Sequence, residues 1–100
     1  MNPHIDIPRN RIVEFCQKWR IKELSVFGSA LREDFRPDSD LDMLMVLEDG
    51  AHWTLFDHVR AQDELKDIVG REVDLVDKGA IRNPFRRRHI LDNHEVIYAA

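Results

Sequence analysis

Apolar residues recur at helical spacing in Ile12, Phe15, Cys16 and Trp19. This predicts an amphipathic helix over residues 8–20, with Pro8 in its first turn, where no intrahelical donor is lost. A short β-like run, Leu24, Val26 and Phe27, follows and stops at Gly28-Ser29. Residues 30–39 are polar and contain Pro37, so they read as a turn or loop. Leu41 to Leu47 is almost wholly apolar, the pattern of a strand covered on both faces, and Gly50 ends it. A second helix is expected across about 52–69, with Leu55, Val59, Gln62, Leu65 and Val69 on one side and Gly70 closing it. Glu72 to Asp77 alternates and is β-branched, which predicts a third strand. Pro84 opens a helix over 84–92, and the ending EVIYAA reads as a short strand or a docked tail. The order α-β-loop-β-α-β-α predicts an α/β or α+β fold, a sheet with helices packed on it.

Composition narrows the class. With 100 residues, 43% of them hydrophobic, and charges of both signs, the chain is expected to form a single globular domain, 1–100. A net charge of −4 argues against a free-standing nucleic-acid binder, which would show a basic face. A local basic run, Arg82 and Arg86 to Arg88, reads either as a solvated helix face or as a partner contact. The lone cysteine, Cys16, excludes an internal disulfide, suits a reducing cytoplasm and falls with Trp19 on the apolar face of the first helix. No apolar run approaches the roughly 18 residues needed to cross a bilayer, and the first residues lack a signal-peptide core, so a cytoplasmic protein is expected. His89 and His94 are too awkwardly spaced to suggest zinc. Trp53 reads as a contact surface or a satellite of the core, and Tyr98 as part of a docked tail or as a site of self-modification.

Candidate chemistry lies at the start of the apolar strand. In a strand, residues i and i+2 face the same way, so Asp40 and Asp42 would project side by side. Two such charges repel by about 4 kcal/mol at 4 Å and an effective dielectric near 20. A divalent cation reverses that sign, and hard oxygen ligands suit Mg²⁺, which completes its shell with water and substrate phosphates. Asp74, flanked by Val73 and Leu75, would join them if the two strands are neighbours. Taken singly, the pair also fits a solvated turn and Asp74 an exposed or structural acid. Gly28-Ser29 follows a strand, and such a turn offers backbone amides and a hydroxyl to a triphosphate, although no P-loop is present.

Gly28-Ser29, then residues 30–39, then Asp40-Leu41-Asp42 resembles the signature of the nucleotidyltransferase superfamily that includes DNA polymerase beta. More narrowly, the leading helix, FGSALREDFRPDSDLDMLMVL, VDLV and the closing HILDNHEVIYA resemble the minimal nucleotidyltransferase (MNT) antitoxins that pair with HEPN-domain toxins. The resemblance implies a nucleotidyltransferase fold, a small mixed β-sheet flanked by helices. It implies that Asp40, Asp42 and Asp74 are catalytic and hold Mg²⁺, two ions during turnover. Gly28, Ser29, Arg32 and Arg36 would bind the nucleotide, ATP. Glu33 stands where relatives often have glycine, and Ala30 where they often have a basic residue. The implied function is that of a type VII-like antitoxin, which transfers AMP to a tyrosine hydroxyl of a cognate HEPN toxin RNase and forms a hetero-oligomer with it. Two alternatives stay open: neutralisation by binding alone, and transfer to a small molecule or RNA.

Overall fold

In a computed structural model, residues 7–28 and 40–100 are described. Three helices and four strands follow in the order α1 (Arg9–Trp19), β1 (Ile21–Phe27), β2 (Leu41–Leu47), α2 (Leu55–Val69), β3 (Val73–Asp77), α3 (Pro84–Asp92) and β4 (His94–Ala99), with a 3₁₀ turn at Lys78–Ala80.

Helix α1 buries Ile12, Phe15 and Cys16, as its spacing predicts, and Pro8 stands at the N-cap, its carbonyl accepting from Ile12 N–H at 3.1 Å. The helix ends in one residue. Arg20 turns left-handed at φ 57 and donates its N–H to the carbonyls of Cys16 and Gln17. So tight a turn lets β1 begin at Ile21, three residues before the apolar run that marks it in the sequence.

Helix α2 departs from expectation at its start and on its first two turns. Thr54 is the N-cap: its hydroxyl accepts from Asp57 N–H at 3.2 Å, and the Asp57 carboxylate accepts from Thr54 N–H at 2.8 Å. That reciprocal box starts the helix at Leu55 rather than near residue 52. Its inward residues are Ala61, Leu65 and Ile68, while Leu55 and Val59, expected inside, are 79% and 50% exposed. The turn of the helix that packs begins with Ala61, whose small side chain permits close approach to the sheet. Gln62 does face inward, as a polar partner: its side-chain oxygen accepts from Leu75 N–H on β3 at 3.0 Å. Because β3 is an edge strand, this bond satisfies a donor that the ladder leaves open.

The sheet order is β3-β2-β1-β4, with β1 antiparallel to β2 and to β4, and β2 parallel to β3. The closing segment is therefore a true strand. Helix α2 makes the crossover between the parallel strands and lies with α1 on one face of the sheet. That face holds the main core, where Leu24, Val26, Leu41, Met43, Met45, Val73 and Leu75 meet α1 and α2. Helix α3 covers part of the other face, where Ile81 and Ile90 pack on Phe27 and Leu44. Strand β2 is thus sealed along one face only; on the other, Leu44 is covered and Asp42 is half-buried. Trp53 is a satellite of the main core: its indole N–H donates to the Trp19 carbonyl at 3.0 Å, and the two rings meet edge-on at 5.4 Å. Tyr98 packs against the same core from β4.

Candidate active site on the open sheet face

The parallel register sets Leu41 beside Val73, Asp42 beside Asp74 and Met43 beside Leu75. Strand alternation then separates the chemistry from the core. Leu41, Met43, Val73 and Leu75 turn to the helices α1 and α2, while Asp42 and Asp74 share the face that α3 covers only in part. Neighbouring strands lie about 4.8 Å apart, so the two carboxylates are close neighbours. Asp74 is exposed, because β3 is an edge strand and α3 packs farther along the face. Asp40, also exposed, immediately precedes β2, two positions before Asp42.

Gly28 closes the site on the side of β1. Its φ of +71 is left-handed, and a β-carbon there would stand 2.7 Å from Oδ2 of Asp42. Glycine thus meets two needs at this point, the backbone turn and the space beside the carboxylate. Ser29, Arg32 and Arg36, the remaining residues expected to hold nucleotide, lie outside the described residues, as do Asp34 and Asp38.

The electrostatics are those of crowded acids. Burial and the negative charges of Asp74 and Asp40 push the Asp42 carboxyl up from its ordinary value, and the Arg86 charge partly offsets them. Lys66 at the end of α2 also feels Asp40, but its ion pairs are with Glu72 at 3.0 Å and Asp63 at 3.8 Å. Like charges held together around the half-buried Asp42, beside a cradle that a β-carbon would fill, fit a divalent cation as a hard, doubly charged partner. Among the described residues, no three His, Cys, Asp or Glu side chains are yet gathered around a common point. The backbone aligns the acids on one face; it does not by itself complete a coordination shell.

In the sequence, Arg86 is one of a run of arginines that reads as a solvated helix face or a partner contact. It precedes Ile90, the buried residue of α3, by one helical turn, and that spacing directs it to the sheet side. The phase of the helix was the signal available. Asn83 caps the same turn, its side-chain oxygen accepting from Phe85 N–H at 2.9 Å and Arg86 N–H at 3.2 Å. His94 is a structural residue, its ring Nδ1–H donating to the Leu91 carbonyl at 2.6 Å.

Comparison with known proteins agrees with this architecture. The nucleotidyltransferase domain family matches residues 10–97. A Methanocaldococcus jannaschii relative, named "putative protein adenylyltransferase", is 33% identical over 93 residues, 93% of this chain and 91% of the relative. Protein adenylyltransferase MntA of Thermococcus cleftensis is 28% identical over 85 residues, 85% of this chain and 81% of that one. Among solved structures, one described as a "putative minimal nucleotidyltransferase" is 33% identical with a TM-score of 0.70, covering 87% of this chain and 86% of its own. A toxin–antitoxin structure with AMP-PNP shares the fold at a TM-score of 0.75 and 16% identity, covering 94% of this chain and 75% of its own. So does a chain from the complex of tri-AMPylated Shewanella oneidensis HEPN toxin with MNT antitoxin, at 0.66 and 15%, covering 92% and 70%. The alignment along nearly the whole chain, joined to the fold, leads to one assignment: this protein belongs to the nucleotidyltransferase domain family.

Proposed function

We propose that this chain is the antitoxin of a HEPN/MNT pair, a cytoplasmic protein adenylyltransferase that moves AMP from ATP to a tyrosine hydroxyl of its HEPN toxin. The observation that carries the reading is the pairing of Asp42 with Asp74 in parallel register on a sheet face left partly open, with Gly28 against Asp42. The names of the relatives supply the donor and the class of acceptor: protein adenylyltransferases, and an MNT antitoxin in complex with an AMPylated toxin.

In the reaction, the acceptor oxygen attacks the α-phosphorus of ATP in line with the departing oxygen. A new P–O bond forms to the acceptor, the bond to the β-phosphate breaks, and pyrophosphate leaves. Asp74, exposed on the edge strand beside Asp42, is open to the acceptor and takes its proton. Asp42, half-buried and fixed in β2, would hold the divalent cation whose positive charge lets an anionic phosphate come close to these acids. Gly28 admits phosphate oxygens close to the backbone at the end of β1. Arg86 adds positive charge next to Asp42, where negative charge accumulates on the phosphates. Mg²⁺, held by Asp40, Asp42 and Asp74, would supply the remaining charge neutralisation and acidify the acceptor hydroxyl.

The test is a transfer assay with the HEPN-domain protein encoded beside this chain, α-labelled ATP and Mg²⁺, repeated with Asp40→Ala/Asp42→Ala. Label on a toxin tyrosine, lost in the double variant, is expected. Toxin inhibition that persists in the variant without any label would show an antitoxin acting by binding alone.

A further inference from the structure

We propose that α3, with Arg82 just before it, is the docking surface for the acceptor protein, presenting Phe85 and the guanidinium groups of Arg82, Arg87 and Arg88 to an apolar side chain ringed by carboxylates near the hydroxyl that is modified. The inference rests on the transfer reading above and adds to it how the acceptor is recognised.

Charge is the first observation. The chain is acidic, at −4, yet Arg82, Arg86, Arg87 and Arg88 cluster on and just before one short helix. Among the described residues, only Arg88 of these four has a carboxylate within ion-pair distance, Asp92 at 3.7 Å, and both members of that pair are largely exposed. The helix therefore offers a surplus of guanidinium groups that match planar carboxylates.

The second observation is apolar. Phe85 is 85% exposed, and the outer side of α3 carries a shallow groove of about 320 Å³ bounded by Pro84, Arg87, Arg88, Leu91 and Asp92. An exposed aromatic ring among arginines, next to a groove, has the composition of an interface centre, where Phe, Tyr, Trp and Arg are enriched.

Position is the third. Ile90 of α3 packs in the cluster that contains Leu44, and Leu44 stands two residues along β2 from Asp42 on the same face. One turn earlier, Arg86 brings its charge to Asp42. A protein lying on α3 is thus next to the carboxylate face. RNA would be drawn by the arginines alone; the acidic chain, the leucine and proline of the groove and the aspartate on its rim favour a protein with an apolar anchor and surrounding acids.

A second exposed phenylalanine provides the control. Phe56, 78% exposed, lies in the first turn of α2, which is on the opposite face of the sheet and begins beyond the far end of β2 from Asp42.

The experiment measures transfer of labelled AMP to the HEPN-domain protein encoded beside this chain, comparing wild type with Phe85→Ser, Arg87→Glu/Arg88→Glu and Phe56→Ser. The α3 variants should raise the KM for the acceptor by about tenfold or more, with the KM for ATP within about twofold. The wild-type acceptor KM should rise with salt, and this dependence should weaken in the double charge reversal. Phe56→Ser should stay within about twofold, and thermal melts should show all variants folded, since every changed side chain is exposed. An acceptor KM left within about twofold of wild type by the α3 changes overturns the docking surface alone. So does a loss seen with Phe56→Ser in their place, or a nucleic acid that displaces the acceptor from α3. A wild-type chain that labels no protein overturns the transfer reading and the docking surface together.

Discussion

A β-carbon on Gly28 would stand 2.7 Å from Oδ2 of Asp42, so the turn that ends β1 and the carboxylate near the start of β2 share one small space. Gly28→Ala must therefore do two things: hold alanine at φ +71 and push the carboxylate aside. The left-handed backbone costs about 1–2 kcal/mol, which urea denaturation should register. The displaced carboxylate should lower AMP transfer by about tenfold or more, beyond anything the stability loss explains. Full transfer by Gly28→Ala would separate the turn from the chemistry.

Asp42 should be worse for stability than its amide. Its carboxyl is pushed up by burial, Asp74 and Asp40, so the folded state favours the protonated form. A group raised in this way contributes stability at pH below its unfolded value and loses that contribution as pH rises through its folded value. In metal-free protein at pH 7, Asp42→Asn should therefore melt at a higher temperature than wild type, and the gap should close as pH falls below the ordinary carboxylate range. The same variant should lose AMP transfer by roughly 10²–10³-fold. Added Mg²⁺ should raise the melting temperature of wild type more than that of Asp42→Asn. Equal melting temperatures at both pH values would contradict the crowding of acids at this face.

Glu64 shows the opposite sign. Burial would push its carboxyl up, but hydrogen bonds from Lys18 and Trp19 and the charges of Lys18 and Arg11 outweigh it and hold the group low. Lys18 Nζ lies at 2.8 Å and the Trp19 indole nitrogen at 3.1 Å, so the carboxylate joins the end of α1 to α2. A lowered group contributes stability above its unfolded value and loses it as pH falls through its folded value. Glu64→Gln should cost about 1 kcal/mol near pH 7. That difference should shrink on acidification toward the bottom of the carboxylate range, as read from denaturation midpoints.

Cys16 should report unfolding rather than surface chemistry. The thiol is fully buried in the main core and pushed up by burial to about 12. Little thiolate forms at neutral pH, and reagent cannot reach it in the folded chain. Reaction with a disulfide reagent should match the rate of global opening and accelerate with denaturant. Prompt labelling in native buffer would count against this packing.

Much of the architecture is legible as periodicity. The bounds of α3 coincide with those its pattern predicts because Pro84 and the preceding Asn83 form an unambiguous start. The first turns of α2 were not legible, since Leu55 and Val59 have the right spacing for an inner face yet project beyond the sheet. No local pattern states where a helix ends its contact with its neighbour. The acids were legible as residues but not as an arrangement. That Asp74 lies opposite Asp42 depends on the pairing of β2 with β3, a long-range property, and Arg86 enters only because α3 folds across the same face.

Strand β2 carries Leu41, Met43 and Met45 on one side and Asp42 and Leu44 on the other. A slip of one residue against its neighbours would drive Asp42 into the packed side chains beneath α1 and α2 and turn Met43 outward. A carboxylate buried there without a partner would cost several kcal/mol. A misaligned strand would therefore destabilise the whole domain before it could yield a misassembled site. Folding acts here as the proofreading step for the placement of the acids.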